Sequence, residues 1–397
     1  MNRRHTGALE AALTELERQH QHRERRTVQC FDDRDSAAAV IVDGRRLVNF
    51  YSNDYLGLAR DPRIAAALAA AATRWGTGTG ASHLVTGHGL EHARLEEELA
   101  AFVGRESALT FSTGYMANLA VLTTLAGPGD LVLLDRLSHA SLIDAALLSR
   151  ARLRRYPHAD AHAATRMLAD ASHEDRAAIL ATDGVFSMDG DLAPLPGLAA
   201  AASARGAWLV VDDAHGLGVI GASGRGTLEH YGLDAEAVPV LVGTFGKAFG
   251  TCGAFVAGAK ALIETLVQSA RTYIFTTAPP QALAAATRTA MALAALETWR
   301  RERVLALTRR FRMAAGAAGI PLTSSVTPIQ PIVIGSSEAA VLASSRLYEA
   351  GFWVTAIRPP TVPRNAARLR VTLSAAHTES EVDGLVEALR HSLPVEA

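Results

Sequence analysis

Short apolar runs recur through the middle of the chain, each followed by a longer stretch with helical spacing. Between about Ser107 and Val256 the runs are Ala108–Phe111, Leu131–Leu134, Ala178–Ala181, Trp208–Val211, Val238–Val242 and Ala254–Ala257. Runs this short and this continuously apolar predict strands buried on both faces, and their alternation with helices predicts a mainly parallel α/β sheet covered on both sides. In such sheets ligands sit beyond the carboxyl ends of the strands. The residues just after each run are therefore where chemistry is to be sought.

The flanks read differently. Residues 8–26 carry charges at helical spacing and predict an exposed amphipathic helix leading into an arm. Ala38–Val42 and Leu47–Phe50, divided by Asp43-Gly44, predict a strand pair. A long helical region, Pro280–Gly319, precedes three strand candidates, Gln330–Ile334, Trp353–Ile357 and Leu369–Leu373. Helices are expected around Ala339–Ala350 and Glu379–Leu393, which completes a smaller α+β domain. The expected organisation is an N-terminal helix and arm at 1–50, a large domain at 51–290 and a small domain at 291–397.

Composition narrows this picture only by exclusion. A length of 397 residues suits two domains, and 49% hydrophobic with 20% charged residues is ordinary for a globular protein. A formal net charge of −1 gives no reason to expect a nucleic-acid or membrane-surface partner. No run reaches the ~18 apolar residues of a membrane span. Cys30 and Cys252 cannot build a disulfide framework and contain no CxxC spacing, so the cytoplasm is the expected compartment.

Candidate chemistry clusters after the strands. Trp208–Val211 runs into Asp212, Asp213, Ala214 and His215, which sets charge at the ligand edge of the sheet. A carboxylate there can hold a heteroaromatic ring nitrogen in its protonated form; alone, it reads first as a loop acid or a helix cap. About 35 residues on, Gly243-Thr244-Phe245-Gly246-Lys247-Ala248-Phe249-Gly250 places a lysine among glycines and aromatics. Partial burial favours the neutral amine that attacks a carbonyl and forms an imine. A turn lysine is the bland alternative, but a pyridinium partner and an imine-forming lysine are two halves of one site. A third element is Ser112–Asn118, where a strand, a glycine turn at Gly114 and a helix start make an anion cradle or simply a capped turn. His139, in the loop after Leu131–Leu134, can stack on a flat ring.

Three other patterns carry less. Gly76-Thr77-Gly78-Thr79-Gly80 follows a helix instead of a strand, which speaks against a dinucleotide fingerprint. His88-Gly89-Leu90-Glu91-His92 matches a metalloprotease spacing, yet Gly89 weakens the helix and no third ligand presents itself, so no metal is expected. No GxSxG elbow occurs, which leaves a serine hydrolase unsupported.

The ordered segments SNDYLGL, LSHASL, GVFSMDGD, VDDAHG, TFGKAFG and AIRPPTVP extend the pattern from Asn53 to His377. Together they resemble the α-oxoamine synthase family, which has the type I aminotransferase fold and uses pyridoxal 5′-phosphate (PLP). That family condenses a small amino acid with an acyl thioester and releases CO2. Trp353–Pro363 looks most like its biotin-synthesis branch, which implies L-alanine and a pimeloyl thioester as substrates, the acyl group arriving on coenzyme A or on a carrier protein. The alternatives are a branch using glycine with succinyl-, acetyl- or another acyl-CoA, an aminotransferase of the same fold, and a non-catalytic ligand sensor. The sensor would be free to lose Lys247, Asp212 or His139, and all three are kept.

The resemblance assigns roles residue by residue. It makes Lys247 the Schiff-base lysine, Asp212 the pyridinium partner and His139 the ring-stacking group, with His215 and Ser187 near the cofactor's phenolic oxygen. Gly114, Tyr115 and Thr244 would hold the phosphate. Thr276 and Thr277 would reach the phosphate of a neighbouring subunit, which implies a homodimer with shared active sites. Arg358 would bind the amino-acid carboxylate with Asn53 close by, and one of Arg23, Arg25 and Arg26 would meet substrate. Asp183 departs from the pattern: relatives commonly carry glutamate there, which puts the reach of this acid in doubt.

Overall fold

The structure, a computed structural model, describes residues 3–32, 36–170 and 177–393. The chain divides into two compact units: Met1–Tyr55 with Met188–Gly190 and Glu302–Ala397, and Leu56–Ser187 with Asp191–Arg301. The N-terminal arm, expected as a segment of its own, thus groups with the C-terminal part of the chain.

The first unit begins with a helix at Arg3–Arg18, shorter than the expected 8–26. Strands β1 (Val28–Phe31), β2 (Ala39–Val42) and β3 (Arg45–Asn49) follow, and β2 and β3 are the expected pair. β1 was not legible in the sequence because it is exposed along its whole length and carries no buried alternation.

The second unit holds β4 (Ser107–Phe111), β5 (Leu131–Asp135), β6 (Arg152–Tyr156), β7 (Ala178–Asp183), β8 (Trp208–Asp212), β9 (Val240–Thr244) and β10 (Ala254–Gly258). They form one sheet in the order β4-β10-β9-β8-β7-β5-β6, parallel except that β10 runs antiparallel to both neighbours. Both faces are covered, as the continuous apolar runs require. Val132 and Leu134 pack into one core cluster while Leu131 and Leu133 pack into another, and Ile179 and Leu180 divide the same way. The strand missed from sequence is β6, whose segment RLRRY lies at the sheet edge, where charged side chains reach solvent and guard against edge pairing.

The remaining strands belong to the first unit: β11 (Ile329–Gly335), β12 (Phe352–Trp353), β13 (Ala356–Ile357) and β14 (Ala367–Thr372). The single strand expected at Trp353–Ile357 splits, β12 running parallel to β3 and β13 pairing antiparallel with β14. The long helical region resolves into two helices, Gln281–Leu296 and Thr298–Ala317, broken at Glu297.

Candidate active site

The site grows from the carboxyl ends of the parallel strands. β7 and β8 run in register, so Asp183 and Asp212 stand side by side at their ends. Asp212 is buried, and its carboxylate accepts Asn118 Nδ2–H at 2.7 Å and the Ala214 N–H at 3.1 Å. Asn118 also donates to Ser141 Oγ at 2.8 Å, and that oxygen lies 2.7 Å from His139 Nδ1. His139 Nδ1 also accepts the Ser141 N–H at 3.3 Å, so it carries a lone pair, the Ser141 hydroxyl donates to it, and the ring proton sits on Nε2. Burial lowers the His139 pKa; the nearby Asp212 charge opposes this and the Lys247 charge adds to it. The imidazole is therefore neutral near pH 7.

Asp183 fixes His139 from the backbone side, accepting its N–H at 3.0 Å. Burial, then the adjacent Asp212, pushes the Asp183 pKa well above its usual value. The second acid of the post-strand pair has another task. Asp213 accepts the Thr227 N–H at 2.6 Å, and burial raises its pKa to about 7. A Cβ on Gly184, Gly216 or Gly226 would come within 2.5 Å of its carboxylate oxygens, so this acid sits in a slot lined by glycines. Asp212 faces the ligand edge; Asp213 is architectural.

Lys247 is half-buried three residues after β9, and its charge bears on the titration of His139, Asp183 and Asp213. The helix Gly114–Leu125 starts after β4 with Thr113 as its cap, accepting the Met116 N–H at 3.1 Å. The first N–H groups of a helix lack partners within it and carry the positive end of its dipole. Space beside Gly114 is open, with nothing within 4 Å of where a Cβ would stand. The Tyr115 hydroxyl donates to Asp144. The Thr244 hydroxyl donates to the Gly253 carbonyl at 2.9 Å, so its proton is already engaged. His215 is buried and Ser187 half-buried beyond the same strand ends. Thr276 is half-buried and Thr277 exposed, next to Phe275 at 70% exposure.

The first unit carries the other residues singled out by sequence. Asn53 Oδ1 accepts Arg370 Nη2–H at 3.1 Å, so the arginine beside Asn53 is Arg370. The sequence reading missed it because an arginine interrupts the apolar signal of β14. Arg358 donates to the carbonyls of His20 at 2.8 Å and His22 at 3.2 Å. Burial, then the Arg23 charge, lowers its pKa. Arg23 and Arg358 line one cavity of about 730 Å³ together with Tyr51 and Trp353. Arg26 lines it too but pairs with Asp43 at 3.3 Å and stacks on Tyr348, whereas Arg25 does not line it.

A family model described as aminotransferase class I and II matches residues 45–389. A curated 8-amino-7-oxononanoate synthase of Methylococcus capsulatus is 57% identical over 387 residues, 98% of each chain. One of Thioalkalivibrio sulfidiphilus is 59% identical over 353 residues, 89% of this chain and 90% of its own. Among solved structures, a serine palmitoyltransferase from S. paucimobilis with a bound PLP–myriocin aldimine superposes with a TM-score of 0.91 at 30% identity, covering 97% of this chain and 96% of that one. PLP fits the residues present: a helix N-terminus with open space for the phosphate, a buried carboxylate for the ring nitrogen, and a lysine whose charge reaches His139 and Asp183. The chain belongs to the class I and II aminotransferase family, in its α-oxoamine synthase branch.

Proposed function

We propose that the chain condenses L-alanine with a pimeloyl thioester, releasing CO2, to form 8-amino-7-oxononanoate for biotin synthesis. The observation that carries this reading is the 57% identity to a synthase of that name across 98% of both chains. Bound PLP supplies an electrophilic carbonyl and an electron-withdrawing ring. Lys247 would hold the cofactor and would take the proton from the alanine Cα. Asp212 would keep the cofactor's ring nitrogen protonated, with Asn118 aiming that carboxylate. His139 would stack on the ring, and His215 and Ser187 would serve its phenolic oxygen.

The phosphate would go to the helix start at Gly114 and Tyr115, with Thr244 donating to it once its hydroxyl turns from the Gly253 carbonyl. Thr276 and Thr277 serve the phosphate of a second copy; the exposure of Thr277 and Phe275 supports a homodimer with shared sites. Arg358 and Asn53 remain the groups proposed for the amino-acid carboxylate. Of the three N-terminal arginines we assign substrate contact to Arg23, since Arg26 is paired and Arg25 stands away from the cavity. No helix among the described residues is long and apolar enough to cross a membrane, which accords with a cytoplasmic location.

The deciding experiment incubates PLP-loaded protein with L-alanine and pimeloyl-CoA or pimeloyl-carrier protein, and with glycine and acetyl- or succinyl-CoA, and identifies products by mass. Formation of 8-amino-7-oxononanoate is expected, and the Lys247→Ala variant should form none. Products from glycine but none from alanine would overturn the assignment.

A further inference from the structure

Three histidines of the second unit converge beside Tyr273, whose ring meets Phe111 at the end of β4. His83 opens a single π-helical turn at His83–Gly87, His88 follows it, and His92 lies in the first turn of the helix Leu90–Val103. Their ring centroids are 5.4, 5.2 and 5.6 Å apart, and one nitrogen from each lies within 4.8 Å of the others. We propose that His83, His88 and His92 bind a divalent transition ion of the zinc class, with a fourth position left open to water.

The spacing matches what such an ion requires. Ligand nitrogens ~2.0–2.1 Å from a tetrahedral centre stand roughly 3.3 Å from one another, and His83 Nδ1 is 3.2 Å from His88 Nδ1. The third ring closes from the wider separation. Metal-binding imidazoles commonly rest their second nitrogen on a carbonyl or a carboxylate, which fixes tautomer and orientation. His92 Nε2 lies 2.8 Å from the Pro279 carbonyl, whereas His88 Nε2 faces Glu96 Oε2 at 3.9 Å, beyond hydrogen-bond distance. Glu96 is itself held by the Thr110 N–H at 2.9 Å and the Thr110 hydroxyl at 2.8 Å. His83 stacks on Tyr273 at 4.7 Å, so its ring plane is set as well.

A neutral imidazole keeps one nitrogen lone pair available to a metal ion while the other nitrogen carries the proton. His88 is exposed, which gives an ion a route in. The metalloprotease spacing of His88 and His92 lacked a third ligand in the sequence; the π-turn brings in His83 from five residues upstream. Glu91, the acid of that spacing, pairs with Arg94 and Arg288 and plays no part. Uptake competes with two bonds, the Gly89 N–H to His92 Nδ1 at 3.1 Å and the hydrogen bond between His83 Nδ1 and His88 Nδ1 at 3.2 Å, whose proton must move or leave for both nitrogens to bind. An ion here would also brace the segment carrying Thr276 and Thr277. Pro279 receives His92, and Ala278 bonds to Ala81 and Thr79 at 2.9 and 2.7 Å.

The test is equilibrium dialysis of chelator-stripped, PLP-loaded protein against Zn2+, with bound metal measured by mass spectrometry. The wild type should retain one ion per chain, and His88→Ala and His83→Ala should bind at least about tenfold more weakly. His391→Ala, at an exposed histidine paired with Glu387, should bind as the wild type does. If His83→Ala fails to fold, the exposed His88 decides alone. No binding by the wild type, or equal binding by His88→Ala, would mean that His83 and His88 share only a hydrogen bond, and the proposal falls.

Discussion

The carboxylate of Asp183 accepts the backbone N–H of His139 at 3.0 Å. The shorter acid therefore still reaches its loop, because β7 ends at Asp183 in register with the end of β8. The contact needs an acceptor and not a charge, since burial raises the Asp183 pKa well above its usual range. Asp183→Asn should keep most of the activity. Asp183→Ala leaves a buried N–H without a partner, a loss of about 1–3 kcal/mol; expressed at the transition state, that lowers kcat by roughly 5- to 150-fold. Steady-state kinetics on both variants check this, and equal losses would contradict the role.

Asp212 separates cofactor chemistry from cofactor retention. Asp212→Asn removes the charge that keeps the ring nitrogen protonated but leaves a side chain of the same shape. We expect kcat to fall by on the order of 10²–10⁴ while the absorbance of bound PLP persists. Asn118→Ala, which frees the carboxylate from its 2.7 Å bond, should lie between this variant and the wild type. Loss of PLP in step with activity would make Asp212 a binding residue instead.

The sheet was legible because its strands are buried on both faces: Leu131–Leu134 and Trp208–Val211 write that burial directly into the sequence. β6 and β1 were not, since an arginine-rich edge and a fully exposed strand carry no apolar period. Asp212 and Lys247 stood out because charge directly after an apolar strand is conspicuous. Their supports did not. Asn118 and Ser141 are ordinary polar residues in the second and first turns of their helices, and only the fold brings them between Asp212 and His139. Arg370 was hidden inside a strand, and His83 inside a turn whose π-helical form has no periodic signature.

The N-terminal arginines can be told apart by kinetics. Arg23 Nη2 donates to Thr361 Oγ1 at 3.4 Å and lines the cavity beside Arg358, whereas Arg25 stands outside it. Arg23→Ala should raise KM for a substrate about tenfold, the loss expected for one charge-assisted contact of ~1.4 kcal/mol, with a smaller change in kcat. Arg25→Ala should match the wild type in both parameters. The reverse ranking would move the substrate contact to Arg25.

His158 links stability to pH at the end of β5, beside the strand that ends in Asp183. Its ring nitrogens lie 3.0 Å from Asp135 Oδ1 and 2.8 Å from Asp191 Oδ2, and its ring meets Phe186 edge-on at 4.4 Å. Burial pulls its pKa down, but the bonds to Asp135 and Asp191 pull harder and raise it from 6.5 to about 10. A folded-state pKa above the unfolded value means that the folded protein holds the extra proton. The stabilisation is then fully present below pH 6.5 and fades as pH climbs through about 10. His158→Gln removes this dependence while keeping a hydrogen-bonding side chain. Urea unfolding of both proteins at several pH values should give a stability gap that is widest near pH ~6 and nearly closed above pH ~10. A gap that stays constant across that range would mean that His158 acts by packing on Phe186 and not by its charge.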